Sequence, residues 1–473
     1  MSYNSDVRSQ ISIPESGKFV EITNDNRFPR LSVQRTHPGN NSVETAEFSK
    51  YAVLTYDVGA ANNNVNGTPF GDNGSVDAFG RLRVSSPKTL FDAKQLVDKL
   101  PQFFDEVVNG TATSTFVPGD SLTIMRTSAP GDYVIRQTSM HFNYQPGKSL
   151  LANFTGVFEP ELNVTKRIGL FQGLSTAPYT PSDGIFIESV DGPTGYIAFK
   201  VLKTSGTPLS LSAAQPDWNI DRLDGTGPSG LTLDFRYAQL MIIDYEWLGV
   251  GRVRCGFYVN GKPVYCHTFS NYNSLSAPFM TSGNQPVRYE IRQTGVGSGY
   301  LKHICSSVMS EGGEQYIGTS LTAEMSSAVA VVDTAYRPLL AIRLNPTSHD
   351  LALIMKNIHV LNVGVSDGIY KAVFNPTITG GSLNFRDLPY TSHVQFANGS
   401  ASLGLSGGYD FASNYAGKGN SAVAAGTGGV ELLGELSVMG TKINGTPDIM
   451  VIAAKGVGGA TSMYAAVDMV LRA

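Results

Sequence analysis

The sequence predicts a mainly β fold, an antiparallel β-sandwich or jelly roll, and three observations support this prediction. Charged residues are only 16% of the 473 residues, and 51 glycines complete a composition typical of a turn-rich β protein. Asn260-Gly261 lies between two alternating runs, which indicates a hairpin because a type I′ turn needs positive φ at both central residues. Short strand patterns also recur at close spacing, broken by Gly, Pro and Asn.

Residues 1–85 are expected to form an extended N-terminal arm. The segment lacks sustained periodicity and contains the low-complexity run GAANNNVNGTPFGDNG, so it cannot bury enough apolar surface to fold by itself. Two short β-like pieces, Lys18 to Ile22 and Tyr51 to Tyr56, indicate that the arm becomes ordered on a partner or on the body of the protein. Disorder is the alternative.

The β-sandwich is predicted over residues 86–325. The one helix-like patch in this region is Asp92 to Val108, and Pro101 limits its length. Strands are expected at Ser121 to Arg126, Tyr133 to Tyr144, Lys148 to Phe158, Gly184 to Glu188, Tyr196 to Val201, Gln239 to Leu248, Arg252 to Val259, Pro263 to Phe269 and Val287 to Arg292.

The Asn260-Gly261 turn fixes the register of the strands on either side of it. The expected pairs are Val259 with Lys262, Phe257 with Val264, and Cys255 with Cys266. In this register the two cysteines form a hydrogen-bonded pair with Cβ atoms about 5 Å or more apart, against ~3.8 Å in a disulfide. The chain has three cysteines, and an odd number does not describe a disulfide framework. Buried free thiols are therefore expected.

The preceding hairpin is phased by its apolar side chains. A three-residue loop, Gly249-Val250-Gly251, places one apolar set on the same side as the apolar face of the next strand. That set is Met241, Ile243, Tyr245 and Trp247, facing the same way as Val253, Cys255 and Phe257. In this register Glu246 lies opposite Arg254, with Asp244 and Arg252 as neighbours on one charged face. The candidate binding surface is Asp244, Glu246, Arg252 and Arg254.

The same carboxylates are weighed as catalytic groups. Sandwich-fold glycanases commonly carry E-x-D-x-x-E, because an acid and a nucleophile must flank the sugar bond. Here the pattern is D-x-E-x-x-G, with Gly249 in place of the third carboxylate. A cross-strand ion pair between Glu246 and Arg254 lowers a carboxyl pKa, which is the wrong direction for a general acid. We therefore expect no enzymatic activity and assign no catalytic residues; a glycan-degrading enzyme is the least favoured alternative.

No metal site, cofactor or nucleic-acid interface is predicted. Asp221, Asp224 and Asp234 flank the turn DGTGPSG, but the EF-hand spacing is absent, so a tight connection is the favoured interpretation. The histidines do not approach each other at metal-ligand spacing, and His267 is expected on the outward face of its strand. The runs GVGSG and GVGG lack the strand-to-helix context of a phosphate-binding loop. The net charge is −4, and no basic run favours nucleic-acid binding.

The sequence also predicts no membrane partner. Residues 1–10 contain no apolar stretch typical of a secretory signal, and no later segment has about 18 consecutive apolar residues. A soluble protein made without a signal peptide is expected.

A second β-rich domain is predicted over residues 326–473. The Gly/Ala/Ser-rich stretch SASLGLSGGYDFASNYAGKGNSAVAAGTGG is expected to form loops that project from it. Strands are expected at Ala328 to Asp333, Leu339 to Leu344, Leu351 to Val363, Asp448 to Ala454 and Ser462 to Leu471.

Six segments together resemble one family of virion structural proteins of tailed bacteriophages, which has relatives in large DNA viruses. A weaker continuation runs through RPLL (Arg337 to Leu340) and GTPD (Gly445 to Asp448). The six are DAFGRLRVSSPKTLFDAKQ (Asp77 to Gln95), YQPGKS (Tyr144 to Ser149), VTKRIGLF (Val164 to Phe171), WNIDRLDGTGPSG (Trp218 to Gly230), YEWLGVGRVRCGF (Tyr245 to Phe257) and ICSSVMSEGG (Ile304 to Gly313).

The resemblance implies a non-enzymatic virion protein with a concanavalin-like jelly roll, made in the host cytoplasm. A capsid decoration or head-fibre-type accessory protein anchored through its arm is the first expectation. The alternatives are a tail- or neck-associated protein and a carbohydrate-binding host-recognition protein that binds a host surface glycan. The expected partners are other capsid or tail components and further copies of the chain, as a trimer by analogy with fibres.

Overall fold

The computed structural model describes residues 86–189, 195–248, 251–315, 318–419 and 438–472, together with the backbone of five further strands. It divides into two compact units, Met1–Val84 and Ser85–Ala473. The described residues contain no α-helix. None of them therefore belongs to a helix that could cross a membrane.

The first unit contains a four-stranded antiparallel sheet with the strands in sequence order. These strands are β1 (Gln10–Ile13), β2 (Lys18–Asn24), β3 (Pro29–Thr36) and β4 (Val43–Glu47). The predicted piece Lys18 to Ile22 lies inside β2, and each strand pairs with the next. This regular pairing goes beyond the extended arm that the sequence predicts. The predicted piece Tyr51 to Tyr56 lies outside the described residues.

The second unit begins with a β-sandwich, which confirms the predicted fold class. Two 3-10 turns, Pro118–Asp120 and Gln215–Asp217, join strands of this sandwich. The strands are β5 (Lys88–Lys94), β6 (Phe104–Asn109), β7 (Thr113–Val117), β8 (Leu122–Thr127), β9 (Tyr133–Thr138), β10 (Leu150–Val157), β11 (Val164–Gly173), β12 (Pro181–Ser189), β13 (Ile197–Lys203), β14 (Leu209–Ala214), β15 (Gln239–Tyr245), β16 (Arg252–Val259), β17 (Lys262–Ser270), β18 (Val287–Gln293) and β19 (Gly299–Ser310).

Two antiparallel sheets form this first sandwich. Sheet I has the order β17-β16-β15-β10-β19-β8-β7, and β5 also pairs with β19. Sheet II has the order β14-β13-β12-β11-β18-β9-β6. Each strand predicted between Ser121 and Arg292 is found, although the one that starts at Tyr133 ends at Thr138. The helix-like patch was predicted wrongly, because Phe91 and Ala93 alternate into the core along β5 and favour a strand.

The core of the first sandwich is apolar and rich in aromatic rings. Trp218 stacks on Phe199 of sheet II with ring centroids 4.7 Å apart, and lies 6.1 Å from the ring of Phe257 in sheet I. The indole N–H of Trp218 donates to the carbonyl of Ala213 at 3.1 Å. Trp218 is therefore a packing anchor that joins the two sheets, in keeping with the preference of a buried indole for a hydrogen-bond partner.

The Asn260-Gly261 hairpin has the predicted register next to its turn but not farther away. Both turn residues have positive φ, 51° and 78°. Val259 faces Lys262 and Phe257 faces Val264, but a bulge then puts His267 opposite Cys255. The predicted pairing of Cys255 with Cys266 is therefore wrong, because one extra residue on β17 shifts every later pair.

The bulge also changes which side chains face the core. Cys266 and His267 are both buried, so the prediction that His267 points outward is wrong. Its Nδ1 accepts the backbone N–H of Asn219 at 3.3 Å, and burial lowers the pKa of His267 to about 4. Cys255 and Cys266 are buried free thiols, as expected.

A second sandwich completes the unit, with a separate apolar core. Its strands are β20 (Thr319–Glu324), β21 (Val329–Val331), β22 (Arg337–Leu344), β23 (Ala352–Asn362), β24 (Asp367–Phe374), β25 (Thr377–Thr379), β26 (Arg386–Leu388), β27 (Thr391–Asn398), β28 (Gly404–Ser406), β29 (Tyr409–Ala416), β30 (Ser421–Ala424), β31 (Val438–Met439), β32 (Ile449–Val457) and β33 (Thr461–Arg472). Since β20 pairs with β33, this sandwich begins before residue 326.

Sheets III and IV form the second sandwich. Sheet III has the order β20-β33-β23-β30, with β21 paired to β33 and β31 paired to β23. Sheet IV has the order β26-β27-β22-β32-β24-β29, and β25 pairs with β28 separately. The prediction that the Gly/Ala/Ser-rich stretch forms projecting loops is wrong for β28, β29 and β30, since all three pair with neighbours. Residues 420 and 425–429 of that stretch lie outside the described residues.

The connection between β31 and β32 attaches the second sandwich to the first. The backbone N–H of Thr441 donates to the carbonyl of Ser139 at 2.9 Å, and that of Ile443 donates to Asp105 Oδ2 at 2.9 Å. The Ile443 side chain packs against Tyr133 and Ile135 on the outer face of sheet II. These contacts place one end of sheet IV beside the residues that follow β9.

Candidate functional site

The predicted charged surface is a buried ion pair and not an open face. Asp244 lies opposite Arg254, so the predicted pairing of Glu246 with Arg254 is wrong by two residues. Arg254 Nη2 donates to Asp244 Oδ2, and the hydroxyl of Tyr265 donates to the same oxygen at 3.0 Å. The guanidinium also lies 4.4 Å from the centroid of the Tyr265 ring. The shift of two residues keeps each face intact and changes only the partners.

The other two members of the predicted surface lie near the end of the same hairpin. Glu246 and Arg252 are half-buried, and the backbone N–H of Glu246 donates to the carbonyl of Arg252 at 3.1 Å. Glu246 Oε1 in turn accepts the backbone N–H of Arg252 at 3.1 Å. The structure thus brings Asp244 and Arg254 into one pair and leaves Glu246 and Arg252 to hold the hairpin end.

A larger set of charges lies on the outer face of sheet II. Arg167 of β11 stands directly opposite Glu188 of β12 on one side and Glu290 of β18 on the other. Its Nε donates to Glu188 Oε2 at 2.6 Å, and its Nη1 donates to Glu290 Oε1 at 2.7 Å. We call this set the charge ladder: Arg167, Glu188, Lys200, Arg288, Glu290 and Arg292.

Glu290 is the centre of the charge ladder. Its side chain is fully buried and contacts the guanidinium groups of Arg167, Arg288 and Arg292. Burial alone would raise the pKa of Glu290, but the three positive charges outweigh it and hold the pKa well below its ordinary value. Glu290 is therefore a fixed anion, which suits a structural role and excludes it as a proton donor near neutral pH.

The sequence contains only a partial indication of the charge ladder. Glu290 and Arg292 alternate with core residues along a strand that the pattern predicts, Val287 to Arg292. The segment that carries Arg167 contributes to the family resemblance, but its pattern does not predict a strand. The partners lie 21 and 123 residues from Arg167, so local spacing could not identify them.

A cleft of about 560 Å³ opens between the two sandwiches, and we call it the inter-sandwich cleft. The first sandwich contributes Phe103 and Met140 to its wall. Residues of β24 and β29 line the opposite side: Lys371, Phe374, Tyr409, Asp410 and Phe411. Clefts of this size, mainly apolar with a few polar groups, are typical of binding sites.

Local backbone features shape the β29 side of the cleft. Gly407 and Gly408 have φ of 65° and 81°, and a Cβ on Gly408 would lie 2.7 Å from the carbonyl oxygen of Phe374. Glycine is required at Gly408, because any side chain there would clash in this tight turn. A bulge then follows, since Ala372 pairs with Ala412 but Val373 pairs with Asp410, so that Phe411 is the extra residue. A bulge redirects the neighbouring side chains, and here the side chains of Asp410 and Phe411 line the cleft.

Asp448 lies at the base of the inter-sandwich cleft and is almost fully buried. Its Oδ1 accepts the Asn375 amide at 2.8 Å, and its Oδ2 accepts the Gly440 backbone N–H at 3.1 Å. Burial raises the pKa of Asp448 to about 6 despite these hydrogen bonds. A raised pKa is what a general acid needs, yet both oxygens already serve as acceptors that fix the connection between β31 and β32.

The aspartates that were weighed as calcium ligands organise a turn, which is the interpretation that the sequence favours. Asp221 accepts the backbone N–H groups of Leu223 at 3.0 Å and Ser229 at 2.8 Å. Asp224 accepts the N–H of Thr226 at 2.8 Å, while Asp234 pairs with a neighbouring arginine. Among the described residues no His, Cys, Asp and Glu side chains cluster in a way that could hold a metal ion.

A second, more open cavity of about 360 Å³ lies on the first sandwich alone. Tyr196, Gln215, Asp234 and Arg236 contribute to its lining. The Tyr196 side chain is 41% exposed. This cavity thus has an exposed tyrosine beside polar groups, and it shares no lining residue with the inter-sandwich cleft.

Comparison with known proteins yields likenesses of fold only. No family model and no curated protein matches the sequence. The Emp47p carbohydrate recognition domain is 10% identical with a TM-score of 0.32, over 48% of this chain and 98% of that one. A Bacillus licheniformis β-glucanase is 11% identical with a TM-score of 0.30, over 48% and 98% of the two chains. A legume lectin-like domain from Entamoeba histolytica is 10% identical with a TM-score of 0.31, over 47% and 98%.

Proposed function

We propose that the chain is a non-enzymatic structural protein of a phage particle, a capsid decoration or head-fibre-type accessory protein. The virion assignment rests on the six segments that resemble phage virion proteins. The observation that carries the non-enzymatic part is that Asp244, a carboxylate of the predicted candidate surface, is buried in an ion pair with Arg254. Glu188 and Glu290 likewise contact arginine or lysine side chains, and the arginines around Glu290 keep its pKa well below its ordinary value.

Labelling of intact particles tests this proposal. An antibody raised against residues 86–473 is applied to purified phage particles and located by immunogold electron microscopy. Gold distributed over the capsid shell is the expected result. Gold confined to a tail or neck would favour the tail-associated alternative, and particles that lack the protein altogether would overturn the virion assignment.

A carbohydrate-binding host-recognition protein is the second candidate. The observation that favours it is the inter-sandwich cleft, where aromatic rings lie beside carboxylate, amide and ammonium groups. Aromatic side chains combine apolar contact area with a polar edge or tip, and glycan-binding surfaces use both. The two candidates are compatible, since a particle protein can also bind a host glycan.

A further inference from the structure

We propose that the inter-sandwich cleft binds a neutral hexopyranose unit of a glycan. This inference rests on the carbohydrate-binding candidate and gives it a site and a ligand chemistry. The ligand must match three properties of the cleft: its volume, the aromatic walls, and the charge of its polar groups.

The walls require a ligand with an apolar face. The half-buried Phe411 is held edge to face by the buried Phe374, with ring centroids 5.4 Å apart, and Phe103 is held in the opposite wall by an edge contact with Phe91 at 5.9 Å. Tyr409 stays 38% exposed at the cleft. The axial C–H groups of a pyranose form a flat apolar face that covers such rings, while a volume of about 560 Å³ accommodates one or two sugar rings.

The polar groups require a ligand rich in hydroxyls. Lys371 Nζ lies 2.9 Å and 3.1 Å from the two oxygens of Asp410, whose side chain is 60% exposed. An exposed ion pair of this kind contributes little to stability, and a carboxylate can accept about four hydrogen bonds. The exposed side of the Asp410 carboxylate can therefore accept hydrogen bonds from two sugar hydroxyls while its ion pair with Lys371 is kept. Gln102 at the first sandwich adds an amide that donates and accepts.

The charge of the cleft excludes other classes of ligand. Among the described residues, its lining contains the carboxylates of Asp410 and Asp448 and one ammonium group, that of Lys371. Acidic sugars, phosphates and nucleotides would place further negative charge beside these carboxylates, which is unfavourable in a partly desolvated site. A purely apolar ligand would leave the polar groups without hydrogen-bond partners. A neutral, polyhydroxylated ring adds no negative charge and supplies hydrogen-bond partners for the polar groups.

Two variants and a matched control test the proposal. Tyr409→Ala removes an exposed ring from the cleft, and Asp410→Asn removes its accessible negative charge while keeping the shape. Tyr196→Ala is the control, because Tyr196 is 41% exposed against 38% for Tyr409 but lies on the first sandwich. Each full-length protein is titrated with the methyl glycosides of glucose, mannose, galactose and N-acetylglucosamine, and with methyl glucuronide, by saturation-transfer NMR.

At least one neutral glycoside is expected to bind, with the glucuronide binding more weakly. Tyr409→Ala should raise the Kd about tenfold, Asp410→Asn should raise it to a smaller extent, and Tyr196→Ala should leave it unchanged. If binding is lost in Tyr196→Ala and retained in Tyr409→Ala, the inter-sandwich cleft is not the binding site. The carbohydrate-binding candidate would still stand. Absence of binding by every glycoside would overturn this inference together with the carbohydrate-binding candidate, whereas the particle labelling decides the virion assignment independently.

Discussion

The two outer faces of the first sandwich carry charge in different ways. On sheet I, Asp244 pairs with Arg254, which lies 10 residues away in sequence. On sheet II, Glu290 shares three arginines, one of them 123 residues away. The neighbouring strands therefore determine which positive side chains balance the charge of a buried carboxylate. For this reason, removal of the carboxylate should affect stability differently on sheet I and on sheet II.

The largest expected effect is at the centre of the charge ladder. Glu290→Gln should lower the free energy of unfolding by about 3–5 kcal/mol, because it leaves buried guanidinium groups without their shared carboxylate. Urea unfolding at neutral pH measures the change. A loss below about 1 kcal/mol would show that the arginines find other partners and that the charge ladder resembles the sheet I pair.

The wild-type protein should also become less stable in acid because of Glu290. Its pKa in the folded protein is lower than in the unfolded chain. The contribution of ionised Glu290 to the free energy of unfolding is therefore complete above about pH 4.5, and it is lost as the pH falls toward the pKa of Glu290 in the folded protein.

Asp448, a buried carboxylate that has no ion-pair partner in the described part of the chain, should behave in the opposite way. The pKa of Asp448 is raised to about 6 in the folded protein, above its value of about 3.9 in an unfolded chain. Its contribution is complete below about pH 4 and is lost as the pH rises through 6, by up to about 3 kcal/mol. Asp448→Asn should remove this loss. Unfolding free energies measured from pH 4 to 7 would contradict the assignment if the variant and the wild type declined in parallel.

The sheet I pair should be less sensitive than Glu290. Asp244→Asn should cost about 2 kcal/mol, since the amide oxygen still accepts hydrogen bonds and Arg254 retains its contact with the Tyr265 ring. The comparison is made by thermal and urea unfolding beside Glu290→Gln. A cost equal to that of Glu290→Gln would remove the distinction between the two faces.

The smallest effect is expected at the hairpin end. Glu246→Gln keeps an oxygen that can accept the backbone N–H of Arg252, and Glu246 is only half-buried. The variant should therefore change the free energy of unfolding by less than about 0.5 kcal/mol. A loss above about 2 kcal/mol would mean that the charge of Glu246, and not its hydrogen bond, holds the hairpin.

Local sequence pattern predicted the strands that alternate clearly and the turns between them. The strand Arg252–Val259 has the predicted limits, and its first two partners across Asn260-Gly261 are as expected. The phase of Met241, Ile243 and Tyr245 was also correct, because a register error of two residues preserves the face. Weakly alternating strands such as Thr113–Val117 and Leu209–Ala214 give little such indication and were missed.

The candidate site was predicted less well than the fold. The predicted surface contains Asp244 and Arg254, but the sequence pairs Arg254 with Glu246, whereas in the structure Arg254 pairs with Asp244, which is fully buried. The inter-sandwich cleft was not predicted at all. Its walls come from segments about 230 to 310 residues apart in the chain, and the sequence predicts projecting loops for the run that contains Tyr409, Asp410 and Phe411.

The sequence by itself determined the β class, the strong turns and the alternation of faces, because these depend on neighbouring residues and on a side-chain period of two. The tertiary structure alone decided the bulges at Cys266 and Phe411, the partners of Glu290 and the cleft between the sandwiches. Each of these depends on which distant strands become neighbours. The pairing of distant strands is determined by the burial of the apolar faces of whole sheets, and a local sequence pattern does not predict it.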